Sequence, residues 1–264
     1  MKGTDESSPP RLGVALTVLF TLVSPFVVAQ ARPDTRTPDK MPTPDEIKNP
    51  PKTWIDKGTG HRIVRLTDEP GSASFYFNVN GYTPDGTAMV YTNPDVINVL
   101  NLKTHATRNV VKGKVRTMEV GHKTPSIFYI KLDEDAIYKT NLSTGETKML
   151  AKAPLRGRVI TVNADETLAA GTYDDVDRPN EQFGRNGGTV ITPSSPQTSP
   201  LEEAAHKGEM MEKRLAARIP LVLFTIDLTG SSKVTPLLHS TDWINHLLFS
   251  PTDPTLLMYC HEGP

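Results

Sequence analysis

A single cysteine, Cys260, is present in 264 residues, so no disulfide can form within the chain and stability must come from packing. The seven histidines, at 61, 105, 122, 206, 239, 246 and 261, include no H-x-H, H-x-x-H or H-E-x-x-H pair, which leaves a metal site built wholly within the chain without sequence support. There is also no Walker-type phosphate loop and no G-x-S-x-G elbow, so the common nucleotide-binding and serine-hydrolase readings drop out. Neither sign of charge dominates, with 29 Lys and Arg against 30 Asp and Glu. The field of the whole molecule therefore offers no broad attraction for nucleic acid. Removing residues 1–31 takes away Lys2, Arg11, Asp5 and Glu6 and leaves the balance unchanged; a polyanionic ligand would need a local basic pocket.

What is present fits a globular protein with a polar surface, at 37% hydrophobic and 22% charged residues. Leu12 to Ala29 is uncharged and mostly apolar, follows Lys2 and Arg11, and leads into Ala29-Gln30-Ala31. That order reads as a secretory signal peptide over 1–31, leaving no stable membrane insertion after its removal and placing the protein in the periplasm or outside the cell. Prolines 33, 38, 42, 44, 50 and 51 then lie among polar residues, which predicts an extended linker over 32–53. The folded region is expected over 54–264.

From Trp54 onward the chain repeats. Thr83-Pro84-Asp85-Gly86 precedes the apolar run Ala88-Met89-Val90-Tyr91, and the next strand ends at Asn101-Leu102-Lys103-Thr104. Ser126-Ile127-Phe128-Tyr129 and Asn141-Leu142-Ser143-Thr144-Gly145 repeat the pattern, with Leu142 lying 40 residues after Leu102. Asn163-Ala164-Asp165-Glu166-Thr167-Leu168 opens a third copy, completed at Ile226-Asp227-Leu228-Thr229-Gly230, and Ser250-Pro251-Thr252-Asp253-Pro254 begins the strand of a fourth. A period near 40 built from strands and Asp/Gly/Pro turns is what β-propeller blades require, since each four-stranded sheet hides its faces only against its neighbours. A β-sandwich with similar hairpins is the alternative all-β reading.

The period breaks over Asp174 to Ile219. Residues 184–200 are rich in Gly, Ser, Thr and Pro and read as a loop. Ser199-Pro200-Leu201-Glu202 then offers a helix N-terminus, and Leu201, Ala205, Gly208, Met211, Leu215 and Ile219 recur at helical spacing up to Pro220. This predicts one inserted helix with a single face against the sheets. Lys207, Lys213, Arg214 and Arg218 on it, with Arg156 and Arg158 on an earlier loop, are candidate cationic groups, arginine being suited to bidentate capture of a carboxylate. Arg218 is preferred because it adjoins the strand after Pro220.

His246 is expected at the start of one apolar strand and His261 at the end of the next, so that a hairpin returns both to the same end of the sheet. Cys260, beside Met258 and Tyr259, reads as a small buried hydrophobe.

Several runs resemble oligogalacturonate lyases. Trp54-Ile55-Asp56 with Thr59-Gly60-His61-Arg62-Ile63-Val64-Arg65-Leu66-Thr67 looks like their opening strands, as does Phe75-Tyr76-Phe77 leading to Pro84-Asp85-Gly86. The more specific runs are Arg218-Ile219-Pro220, Asn245 to Pro251 and Cys260-His261-Glu262-Gly263-Pro264. The resemblance implies a seven-bladed propeller, of which about four blades are represented here by the repeat count. It also implies β-elimination of short pectin-derived oligogalacturonides, with His246 as base, Arg218 beside it and His261 facing substrate. A divalent cation, Mn or Ca, is implied too, with its ligands expected beyond Pro264. The export signal departs from the pattern, since familiar members work in the cytoplasm.

Two further expectations concern extent and class. The strand Leu256 to Tyr259 stands near the chain end without a following neighbour for its backbone groups, so the chain reads as the first half to two-thirds of such an enzyme, and as inactive alone. The rival from another class is a non-catalytic periplasmic propeller that binds sugars or protein partners.

Overall fold

A computed structural model describes residues 51–94, 96–154, 157–175, 208–209, 211–213 and 215–262. The expected export signal, the expected linker up to residue 50, Arg156, the expected helix start at 199–207, Arg214 and Gly263-Pro264 lie outside the described residues. The chain divides into two compact units, Met1–Ile63 and Val64–Pro264. In the first, β1 (Thr53–Ile55) pairs with β2 (Arg62–Val64). Asp56 closes their turn, its carboxylate accepting from the Gly58 and Thr59 amides and the Thr59 hydroxyl.

Among the described residues the second unit is all-β apart from helical residues 208–209, 211–213 and 215–217. Its strands are β3 (Ala88–Asn93), β4 (Val96–Asn101), β5 (Thr107–Lys112), β6 (Val115–Val120), β7 (Ser126–Lys131), β8 (Ala136–Asn141), β9 (Thr147–Lys152), β10 (Arg158–Val162), β11 (Leu168–Asp174), β12 (Leu221–Asp227), β13 (Val234–Ser240), β14 (Trp243–Phe249) and β15 (Leu257–Glu262). They form antiparallel sheets in chain order: β3-β4-β5, β6-β7-β8-β9, β10-β11-β12-β13 and β14-β15. Bridges Ala73 to Thr92 and Tyr82 to Met89 add the segment before β3 as an inner member of the first sheet.

The sheets are β-propeller blades, because the core lies between them and not within a single sandwich. On β7, Ile127 and Tyr129 pack with Val90, Ile97, Val99 and Val111 of the preceding sheet. The alternate residues Phe128 and Ile130 pack with Val159, Val162, Phe224 and Ile226 of the following one. A strand buried on both faces is continuously apolar, which accounts for the fully buried run Ser126-Ile127-Phe128-Tyr129-Ile130. β12 does the same, sending Phe224 and Ile226 back and Leu221 and Leu223 forward to Ile244, Leu247 and Phe249. The outer strands β5 and β9 are largely exposed.

The 40-residue repeat has one structural meaning at each copy. Leu102 N donates to Thr87 O at 3.0 Å, Leu142 N to Pro125 O at 2.7 Å and Leu228 N to Thr167 O at 2.8 Å. Each bond ties the loop after the third strand back to the turn that opens the second. Asn101 and Asn141 cap their turns by accepting from amides two and three residues on, and Asp227 accepts from the Thr229 and Ser231 amides, two and four residues on.

Buried carboxylates link neighbouring blades. Glu119 on β6 accepts from the Val162 amide and, at 2.7 Å, from the Thr161 hydroxyl of β10; Phe249 N of β14 donates to that same hydroxyl at 3.2 Å. His122 Nε2 stands 3.6 Å from Glu119, and this carboxylate raises the imidazole pKa against the opposing effect of burial. Glu166 reaches across the same blade boundary, accepting from the Lys123 and Thr124 amides, the Thr124 hydroxyl and Lys139 Nζ. Burial would raise the Glu166 carboxyl, but the bonds from Lys139 and Thr124 outweigh it and hold it below the usual glutamate range.

Candidate functional site

The site is built on β14 and β15, around a strand irregularity. Their register shifts between Asn245 and Leu248. Ile244 before the shift and Leu247 and Phe249 after it all enter the core against the preceding blade. Ile244 to Leu247 is a step of three where a regular strand takes two, so the bulge turns His246 onto the other face. That is the face of Trp243, whose β15 partner is Glu262. His246 Nε2 accordingly lies 2.8 Å from Glu262 Oε1, and its ring stacks on Tyr76 at 5.7 Å between centroids.

His246 has φ 47, a left-handed conformation that costs a non-glycine residue energy and is held only by its surroundings. Glu262 is mostly buried, and its second oxygen, Oε2, has no hydrogen-bond partner. A carboxylate only accepts hydrogen bonds, so its approach to Nε2 favours the neutral tautomer with the proton on Nε2 and the lone pair on Nδ1. The expected position of His246 at the start of the strand is corrected: it lies within β14, at the bulge.

Arg218 ends the helical stretch. Residues 208–209, 211–213 and 215–217 are helical, with Gly208, Met211, Leu215 and Ile219 less exposed than their neighbours, as the spacing predicts. Arg218 takes φ 49, its amide donating to Leu215 O, a left-handed helix end before Pro220. Its Nη1 lies 3.7 Å from Asp242 Oδ1, an ion pair without a hydrogen bond. Asp242 Oδ2 is 3.0 Å from His261 Nε2. The His261 hydrogen bond, with the charges of His261 and Arg218, holds the Asp242 carboxyl below its ordinary value despite an opposing contribution from desolvation.

The structure thus brings Arg218 and His261 together through Asp242, and places His246 with Glu262 and Tyr76. His261 pairs across the ladder with Ile244, so it lies on the opposite face from His246. Asp242 and His246 are four residues apart along the chain, at most about 13 Å, near enough for one bound oligomer to meet both groups. Asp242, Glu262 and Tyr76 have no assigned role in the sequence reading. Glu262 and Tyr76 stand inside the runs that carry the family resemblance; Asp242 has no signal apart from strand register.

Three other expectations change. Arg158 is the first residue of β10, not part of a loop. Lys213 makes a helix-surface pair with Glu209 at 2.5 Å, the solvated arrangement usual at such spacing. Cys260 is exposed, because among the described residues β15 pairs only with β14. Among the described residues no three His, Cys, Asp or Glu side chains are grouped to hold a metal ion, and no helix is long and apolar enough to cross a membrane.

No known family profile matches the chain. It is 24% identical over 221 residues to an oligogalacturonide lyase of Pectobacterium atrosepticum, covering 80% of this chain and 51% of that protein. Its fold is similar to that of an oligogalacturonate lyase from Vibrio parahaemolyticus, with a TM-score of 0.56, 19% identity and coverage of 80% of this chain and 52% of the other. It is also similar to an oligogalacturonate lyase in complex with manganese, with a TM-score of 0.58, 22% identity and coverage of 80% and 53%. The chain spans about half the length of these relatives. The resemblance drawn from the motifs is borne out in sequence and in fold.

Proposed function

From the relationship to oligogalacturonate lyases over 80% of the chain, we propose that the protein is an exported polysaccharide lyase acting in pectin degradation, cleaving oligogalacturonides by β-elimination. The observation that carries this reading is the His246–Glu262 pair, in which a mostly buried carboxylate stands 2.8 Å from Nε2 of the imidazole and leaves Nδ1 as the nitrogen proposed to act as base. A positioned base of this kind is what abstraction of a proton next to a carboxylate demands.

The chemistry follows from the groups present. His246 Nδ1 takes the C5 proton of a uronate, and negative charge builds on the adjacent carboxylate. Arg218, exposed and only loosely paired with Asp242, stands apart from His246 and would leave Asp242 to meet this charge, where stabilisation counts fully in the transition state. The C4–O bond then breaks toward the leaving sugar, giving a 4,5-unsaturated product without addition of water. His261, held by Asp242, contacts substrate beside Arg218.

A divalent cation, Mn or Ca, is proposed from the manganese complex of the relative. The described residues do not group to bind one, and no step above uses it.

Replacing His246 with Ala in the full-length protein is expected to lower the rate by roughly 10²- to 10⁴-fold, read as ultraviolet absorbance of unsaturated product from digalacturonate. Activity per folded molecule that stays at the wild-type level would overturn the assignment. Wild-type protein that binds digalacturonate and releases no product would favour a sugar-binding propeller. Export is tested separately: N-terminal sequencing should find Gln30 or Arg32, and an intact Met1 in a membrane fraction would establish an uncleaved anchor.

A further inference from the structure

The innermost strands place residues in register across blades. Thr161 bonds to Glu119, 42 residues before it, and to Phe249, 88 residues after it. Three positions earlier on the same strands stand Arg116, Arg158 and His246. In the first blade the corresponding link is Asn80 to Val120, 40 residues apart, and the matching segment carries Tyr76 and Phe77. Each blade thus presents one side chain at the same height: an aromatic ring, two guanidiniums and the imidazole assigned as base.

Arg116 and Arg158 line a cavity of about 260 Å³ with Tyr76, Phe75, Ser74 and Thr92. Neither arginine has an ion-pair partner among the described residues, and Arg116 Nε is buried without a hydrogen bond. Burial, then the Arg158 charge beside it, pushes the Arg116 pKa down to about 10, with Asp135 opposing; burial lowers Arg158 as well. Both remain charged at neutral pH. Two half-buried guanidiniums near one another, with the charge of Asp135 acting on Arg116 but no ion pair to either among the described residues, are a costly arrangement unless an anion joins them. The cavity is below the usual range for drug-sized ligands, so it fits one sugar unit and not a chain. Tyr76 lines this cavity and also stacks on His246, which makes cavity and base neighbours.

We propose that Arg116 and Arg158 form a carboxylate subsite that holds the uronate unit adjoining the one at His246. The assignment rests on the lyase reading for its ligand. It gives the locally basic pocket that a chain of net charge -1 needs in order to take a polyanion. The guanidinium pair selects the free carboxylate, and Tyr76 offers a sugar ring a flat apolar face.

The test is calorimetric binding of digalacturonate and of its fully methyl-esterified form to full-length wild type, Arg116→Gln and Arg158→Gln. Each substitution is expected to weaken digalacturonate roughly tenfold or more, the worth of a charge-assisted hydrogen bond, and to leave the ester unchanged. Melting temperatures should hold or rise, since a like-charge contact is removed. Unchanged digalacturonate affinity, or equal losses for both ligands, overturns the subsite. Should the Gln variants not fold, Arg116→Lys and Arg158→Lys carry the test: loss of the bidentate fork should still weaken binding severalfold, and wild-type affinity overturns the proposal. Wild type that binds digalacturonate through these arginines yet forms no unsaturated product removes the lyase reading and leaves the subsite. Product formation with unchanged KM and affinity in both variants does the reverse.

Discussion

At the scale of residues, the site depends on carboxylates more than on the histidines that first draw notice. Glu262 faces Nε2 of His246 and favours a proton there, so Glu262→Gln, which can offer a donor or an acceptor, should leave the imidazole in a mixture of tautomers. We expect kcat on digalacturonate to fall about 10- to 100-fold with KM little changed, as for other groups that orient a functional histidine. Steady-state kinetics by product absorbance checks this, and a loss confined to KM would contradict it. His246, His261 and Arg218 stand out in the sequence because each lies in a run that resembles the lyases. Asp242 does not, since Ser-Thr-Asp before a strand is common turn chemistry and only the contacts of Asp242 with Arg218 and His261 give it meaning. Arg116 was hidden because an arginine on an alternating strand reads as solvent-facing until blades are assembled around it.

At the scale of elements, turn chemistry was the legible part. The Asn-Leu-x-Thr signal recurs, at 101–104 and 141–144, because each blade must close the same hairpin. What the pattern could not give was the register shift on each innermost strand, at 117–120, 159–161 and 245–248, since a bulge leaves no mark on composition. Gly171 sits opposite one of them, and a Cβ there would come within 2.4 Å of Arg158 O. Gly171→Ala should therefore push β10 from β11, lowering the melting temperature and weakening digalacturonate binding through Arg158, as thermal unfolding and calorimetry on one preparation would record. The Glu166 bridge makes a different prediction. Its folded-state pKa lies below the ordinary 4.5, so its contribution is complete above that value and is lost as pH falls through the lower folded value. Urea midpoints of wild type should drop on acidification over this range more than those of Glu166→Gln, and parallel curves would discount the bridge.

For the whole molecule, the proposed polyanionic substrate would have to be held on an almost neutral chain by a few placed charges, and these are screened by salt. KM for digalacturonate is expected to rise between low and physiological ionic strength while kcat holds, because screening weakens capture more than a buried proton transfer; a fall in kcat alone would argue otherwise. The bonds that join Glu119, Thr161 and Phe249 carry a consequence for motion. They run through three sheets in succession, on the first strand of each, so no blade on that path can open while its neighbours stay shut. The Val162 and Phe249 amides should exchange hydrogen for deuterium only through global opening, at matched rates and with the same denaturant dependence. Amides of the exposed outer strands β5 and β9 should exchange sooner through local fraying, and Thr161→Val should split the two inner amides into separate rates.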